Sequence, residues 1–122
     1  RVVMKIVHID DIAKESFVAP IFTGADVKRQ PLTPDSSNFS MNIVTFGKGV
    51  RTKPHTHESD QVLIVTTGTG IIATETEQQT VTAGHVALIP AGESHSHGAT
   101  DDSTFAHIAL TLIDSKTTVL EE

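Results

Sequence analysis

The chain has 122 residues and a mass of 13.0 kDa, so we expect residues 1–122 to form a single domain. Its 15 Asp and Glu residues outweigh 9 Lys and Arg residues, and the formal net charge of -6 argues against nucleic acid as a partner. No apolar run reaches the roughly 20 residues of a membrane helix, and the absence of cysteine excludes disulfides, thiolate metal sites and a cysteine nucleophile.

The N-terminal segment carries the one helical signal of the chain. Asp10 and Asp11 can cap a helix, and residues 12–15 can continue it, so the sequence predicts a short N-terminal helical turn. Acidic residues begin at Asp10, and no apolar leader segment precedes them. We therefore expect a cytoplasmic protein.

From residue 17 onward, short segments rich in Val, Ile, Thr and Phe alternate with Gly and Pro, which predicts an all-β sandwich or barrel. Residues 34–38 are expected to form a loop and residues 114–122 a short tail. Two segments alternate with period two. One face of residues 38–46 carries Asn42, Val44 and Phe46, and one face of residues 103–113 carries Phe105, His107, Ala109 and Thr111. Both strands are also apolar on their second face, so one face should line a cavity while the other packs on another layer or subunit.

The segment GVRTKPHTHESDQVLIVTTG, residues 49–68, contains the first histidine pair. If one strand starts near Pro54, then His55, His57 and Gln61 point to the same side of it. Two imidazoles at positions i and i+2 of a strand can chelate one metal ion. Gln61 fits as a further ligand if the strand bends.

The segment GHVALIPAGESHSHG, residues 84–98, contains the second pair. It predicts a strand over residues 85–89, a tight turn over residues 90–92, and His95 and His97 on one face of the next strand. Two such pairs in a strand-turn context indicate a metal site. The isolated His8 and His85 are expected to be ordinary surface or core histidines.

These two segments resemble the double motif of the cupins. The first cupin motif is Gly-x5-His-x-His-x3-4-Glu-x6-Gly, and its positions correspond to Gly49, His55, His57, Gln61 and Gly68. The second is Gly-x5-Pro-x-Gly-x2-His-x3-Asn, and its positions correspond to Gly84, Pro90, Gly92, His95 and Ala99. The resemblance implies a small antiparallel jelly-roll barrel with its motif core at residues 40–112, a connecting hairpin between the motifs, one divalent metal, and a homodimer.

Within the cupins, the chain is similar to bacterial manganese-dependent members that include hydroxynitrile lyases. This similarity implies metal ligation by His55, His57, Gln61 and His95. It also implies that Thr52, His97 and His107 surround a small-molecule substrate. Gln61 replaces the usual Glu, so all four ligands are neutral and the 2+ charge should attract anions. Such N3O ligation favours Mn(II) or Fe(II), with Ni(II), Co(II) and Zn(II) as alternatives.

Three functions are compatible with these residues. The first is a lyase in which the metal acts as a Lewis acid, His107 as general base, and Thr52 and His97 as hydrogen-bond donors. The second is an Fe- or Mn-dependent dioxygenase of dicarbonyl or enediol substrates. The third is a non-catalytic module that binds a small ligand.

Overall fold

A computed structural model describes residues 3–120 of the chain. As the sequence predicts, these residues form an almost entirely β structure, with a single 3-10 turn, η1, at Ile9–Asp11. The strands are β1 (Glu15–Ser16), β2 (Val27–Pro31), β3 (Phe39–Phe46), β4 (His55–His57), β5 (Gln61–Thr74), β6 (Gln78–Thr82), β7 (Val86–Ile89), β8 (His95–Ala99), β9 (Phe105–Leu112) and β10 (Thr117–Val119).

The N-terminal turn is shorter than predicted and has a different cap. His8 caps it through Nδ1, which accepts the Asp10 N–H at 3.2 Å, and Ile12 ends it because its backbone is extended. The chain after Ile12 then enters β1 instead of continuing a helix. Within residues 3–120, no helix is long or apolar enough to cross a membrane.

Strand β5 connects two parts of one curled antiparallel sheet. Its first half pairs with β7 and β9, and its second half pairs with β6 and β8. The strand bends at a bulge between Val65 and Thr67, followed by Gly68 at φ 76°. A Cβ atom at Gly68 would lie 1.9 Å from the Thr104 carbonyl oxygen, so this corner requires glycine. The hairpin of β5 and β6 is the predicted connection between the two motifs.

The period-two alternation predicted for β3 and β9 is confirmed. Val44 and Phe46 on β3 face the interior, and in register they lie opposite His107 and Phe105 on β9. The apolar core continues this layer and comprises Val27, Val44, Phe46, Val65, Val81, Ala99 and Phe105. The opposite face of the same strands leaves large apolar side chains exposed, including Phe39 and Leu112.

The prediction of a plain C-terminal tail is wrong for residues 117–119. This segment forms β10, which pairs with the edge of β4 and places Thr117 opposite His57. A Thr-Thr-Val run suits a strand because β-branched side chains favour extended backbone. Residues 121 and 122, the end of the predicted tail, lie outside the described residues.

Candidate metal centre

Strands β4 and β8 bring the two histidine pairs together. His55 on β4 lies directly opposite His95 on β8, and their ring centroids are 4.2 Å apart. The ring of His57, two residues further along β4, lies 4.9 Å from that of His55 and 5.2 Å from that of His95. Each strand thus contributes to one cluster of imidazoles, as the spacing of the motifs predicts.

Gln61 reaches this cluster by a different route from the predicted one. The chain does not continue as one strand: β4 ends at His57, and Gln61 begins β5 after a turn. The Gln61 side chain is nevertheless buried, and its Oε1 lies 3.0 Å from His95 Nε2. The amide therefore reaches the imidazoles because the strand is broken between β4 and β5, and not because one continuous strand bends as predicted.

The predicted turn at residues 90–92 also orders the cluster. The Glu93 N–H donates to the Pro90 carbonyl at 3.1 Å, which closes the turn, and Gly92 adopts a φ of 81°. The Gly92 N–H then donates to the carbonyl of His57 at 2.9 Å. This hydrogen bond ties the second motif to the backbone of the first.

Three of the imidazoles have the same hydrogen-bond arrangement at Nδ1. His55 Nδ1 lies 2.7 Å from the Lys53 carbonyl, and His95 Nδ1 lies 2.9 Å from the Glu93 carbonyl. A carbonyl only accepts, so both Nδ1 atoms carry the proton, and both Nε2 atoms keep a free lone pair. His57 Nδ1 has Thr117 Oγ1 at 2.8 Å as its partner. Such outer hydrogen bonds fix the tautomer of metal-binding histidines.

Burial keeps the cluster neutral. It is the main cause that lowers the pKa of both His55 and His57 from 6.5 to about 4, with smaller contributions from neighbouring histidines, which lower it, and from hydrogen bonds, which raise it. Burial also lowers the pKa of His95. Neutral imidazoles are the form that binds a metal ion, so these groups are ready for ligation at neutral pH.

His97 and His107 form a buried pair beside the cluster. His107 Nε2 lies 2.9 Å from His97 Nδ1, and the two rings pack against Phe46. Burial lowers the pKa of His107 to about 4 and that of His97 well below 6.5. Thr52 Oγ1 accepts the backbone N–H of His97 at 3.1 Å, so its own hydroxyl proton is free to donate.

The donor set fits a divalent metal. The ligand atoms of His55, His95 and His97 all lie within 4.8 Å of one another, so this group could hold an ion. His57 Nε2 is buried and has no hydrogen-bond partner among residues 3–120. The bare His95 Nε2 also faces the Gln61 oxygen, another acceptor. These lone pairs lie close together or lack a donor, an arrangement that a bound cation would stabilise.

A cavity of about 470 Å³ opens onto these histidines. All seven predicted site residues except His95 line it, together with Asn42 and Thr111. The alternation of β9 had already placed Thr111 on the same face as His107. The cavity wall also includes Arg29 and Thr117, which the sequence analysis missed. A lone arginine in a five-residue strand and a threonine near the C-terminus gave no signal. Among the described residues, no acidic side chain lines this cavity.

Comparisons with known proteins agree with this fold. Residues 42–111 match the cupin domain family. The chain is 36% identical over 110 residues to a protein of Granulicella tundricola named (R)-mandelonitrile lyase, covering 88% of this chain and 83% of that protein.

Two solved structures share the fold. A cupin-like protein from Thermotoga maritima has a TM-score of 0.83 and 28% identity, covering 93% of this chain and 90% of its own. The polyketide cyclase RemF from Streptomyces resistomycificus has a TM-score of 0.86 and 21% identity, covering 98% of this chain and 87% of its own. At that identity, the second likeness concerns the fold alone.

Proposed function

Because the chain belongs to the cupin family, we propose that it is a metal-dependent lyase that cleaves the carbon–carbon bond of a cyanohydrin to give an aldehyde and hydrogen cyanide. The observation that carries this proposal is the convergence of neutral donor atoms beside the hydrogen-bonded His97–His107 pair. The 36% identity to a protein named as a mandelonitrile lyase supports the same reaction class.

In this proposal the ligands are His55, His57, Gln61 and His95. Each of the three histidines has its Nδ1 occupied by an oxygen, so each presents Nε2 to the ion. His97 differs, because its Nδ1 is paired with another imidazole. We expect Mn(II) or Fe(II), with Ni(II), Co(II) or Zn(II) as weaker alternatives. The bound ion supplies Lewis acidity that lowers the pKa of the substrate hydroxyl.

The protein's own groups then handle the proton. The His97–His107 pair takes the hydroxyl proton, and the hydrogen bond between the rings spreads the resulting positive charge over both of them. The charge has to be shared because burial lowers the pKa of each imidazole, which makes either ring alone a weak base. The Thr52 hydroxyl donates toward the substrate oxygen as its negative charge develops.

The bond changes balance without a further reagent. The oxygen electrons form the carbonyl of the aldehyde, and the bond to the nitrile carbon breaks, so its electron pair leaves with cyanide. The imidazole pair returns its proton to cyanide, which releases hydrogen cyanide and restores the neutral site. No oxidant takes part, and turnover should therefore be the same with and without oxygen.

We also propose that the protein acts as a homodimer through the outer face of β3, β9, β5 and β7. On this face Phe39, Leu112, Val86 and Leu88 are 49% to 66% exposed, and the strand register places all four on the same side of the sheet. Apolar groups of this size on one sheet face are typical of isologous interfaces. Light scattering should give twice the chain mass, and Leu88→Lys should shift it to the monomer; a monomeric wild type would contradict the proposal.

The test of the lyase proposal combines metal analysis with turnover. Purified protein should hold about one Mn or Fe per chain and cleave mandelonitrile. His107→Ala should keep its metal and lose most activity, because it removes one imidazole of the His97–His107 pair and leaves the proposed metal ligands in place. His85→Ala is the control, because His85 is exposed and its side chain bonds only to the backbone of Thr82.

Other results would point to the remaining functions. Turnover that requires oxygen would favour the dioxygenase. Metal binding without turnover of any cyanohydrin, and with ligand binding that tolerates His107→Ala, would favour a binding module. Full activity of His107→Ala would refute the role of the imidazole pair.

A further inference from the structure

Arg29 is the one cationic side chain that lines the cavity, among the described residues, and its Nε is buried without a hydrogen-bond partner. The ion pairs within residues 3–120 are Lys5–Asp35, His8–Asp10 and Lys28–Asp26, and none of them involves Arg29. The two Nη groups also have no hydrogen bond within these residues, and they are not buried, so they can donate to an acceptor that a ligand supplies.

The packing around Arg29 leaves its hydrogen-bonding edge available. The guanidinium carbon lies over the Phe17 ring, 4.4 Å from its centre, in a cation–π contact. The N–H donors lie in the guanidinium plane and stay free at its edge. That edge matches a carboxylate, which can accept two parallel hydrogen bonds.

The position of Arg29 relates it to the metal centre. Arg29 pairs with Val44, and Val44 pairs with His107, so the three residues form one row across β2, β3 and β9. Neighbouring strands are about 4.8 Å apart, which puts the backbones of Arg29 and His107 about 10 Å apart. Directly paired residues share a face of the sheet, so a ligand held by Arg29 can extend along the cavity wall towards His107.

The rest of the wall suits the same kind of ligand. Phe17, Phe22 and Phe46 form a chain of edge-to-face contacts along the cavity, with ring centroids 5.1 and 5.9 Å apart. These rings offer an apolar surface for the body of a ligand. With four neutral metal ligands and no acidic wall residue in the described chain, nothing in this wall opposes a negative charge.

We propose that Arg29 selects substrates that carry a carboxylate at the end remote from the reacting hydroxyl, with an apolar or aromatic segment between the two groups. This inference rests on the proposed function for the identity of the reacting group, while the carboxylate site itself rests on Arg29. The preferred substrate is then a carboxylated cyanohydrin instead of a neutral one.

The test compares two ligands of the same shape, 4-(hydroxymethyl)benzoate and 4-(hydroxymethyl)benzamide. Titration calorimetry on the Mn-loaded protein should give a dissociation constant at least about tenfold lower for the acid, since a charge-assisted pair is worth more than a neutral one. In Arg29→Gln this ratio should fall to near one. Arg29→Lys should keep part of it, because the charge remains while the fork is lost.

Lys28→Gln is the matched control, because Lys28 is the exposed neighbour on the opposite face of β2 and pairs with Asp26. It should keep the wild-type ratio. The same titrations on metal-free protein separate Arg29 from the charge of the ion, and the ratio should persist there. A ratio near one in the wild type, no measurable binding of either ligand, or an unchanged ratio in folded Arg29→Gln would each overturn the inference.

Turnover distinguishes this inference from the proposed function. The cyanohydrin of 4-formylbenzoate should be cleaved with a higher kcat/KM than mandelonitrile, and Arg29→Gln should remove the difference. Cleavage of both with no preference would overturn the carboxylate site alone. Tight, Arg29-dependent binding of the acid with no cleavage of either would overturn the lyase reaction alone.

Discussion

Acid should destabilise the metal-free protein, and His107 should account for a measurable share of the loss. Its imidazole is fully buried, and burial lowers its pKa to about 4. In the unfolded chain His107 is therefore protonated below about pH 6.5, whereas in the folded chain it stays neutral down to about pH 4. Stability is full above pH 6.5 and falls as the pH drops through this window.

The size of the effect follows from the pKa difference. A lowering from 6.5 to about 4 corresponds to about 3.4 kcal/mol when the pH has passed through the whole window, and to about 2 kcal/mol between pH 7.5 and pH 5. His107→Gln cannot titrate there, so it should lose about 2 kcal/mol less than the wild type over the same interval. His97 keeps its low pKa in this variant, because its own burial is the larger cause.

Urea unfolding at pH 7.5 and pH 5, with a chelator present, measures this difference. Far-UV circular dichroism is the suitable signal because the chain contains neither Trp nor Tyr. His85→Gln, a substitution at an exposed histidine, should behave like the wild type. Equal losses in His107→Gln and the wild type, or a wild type that gains stability in acid, would show that His107 is not the buried neutral group described above.

Two further predictions concern the corner of β5 and the support of His57. Gly68→Ala should lower the free energy of unfolding by more than about 2 kcal/mol, because its Cβ would meet the Thr104 oxygen and its φ is positive. Gly84→Ala should lower it by only about 1 kcal/mol, because the φ of 94° is the sole obstacle there. Equal losses in urea unfolding would contradict the steric reasoning. Thr117→Val should weaken metal binding about 10- to 100-fold, because His57 Nδ1 loses its partner. Competition with a chelator measures this, and an unchanged affinity would mean that His57 is not a ligand.

The sequence predicted the parts of the site that local rules determine. Period-two alternation placed His107 on the inner face of β9, and two His-x-His pairs in a strand-turn context predicted a metal site. Local backbone conformation also explains the glycines of the motifs. Gly49, Gly68 and Gly84 all have positive φ values, so side chains at these positions would be strained.

The parts that the sequence did not predict depend on pairing between distant segments. Nothing in residues 114–122 indicates that Thr117 will lie beside His57, because that contact arises only when β10 pairs with the edge of β4. Arg29 is a similar case. Its inward direction follows from the register of β2 with β3, and a five-residue strand is too short to show which face is buried.

The inward direction of Arg29 gives the cavity a charge that differs from that of the chain as a whole. The chain as a whole is negative, with a formal charge of -6, so it repels anions at long range. Inside the cavity the balance is reversed, because Arg29 contributes a positive charge and Gln61 takes the position where the cupin motif has a carboxylate. A metal ion held by the proposed neutral ligands would keep its full 2+ charge, and an anion that enters would be stabilised by both cations. Discrimination between anionic and neutral ligands therefore depends on the cavity wall, where the charge has the opposite sign to the net charge of the chain.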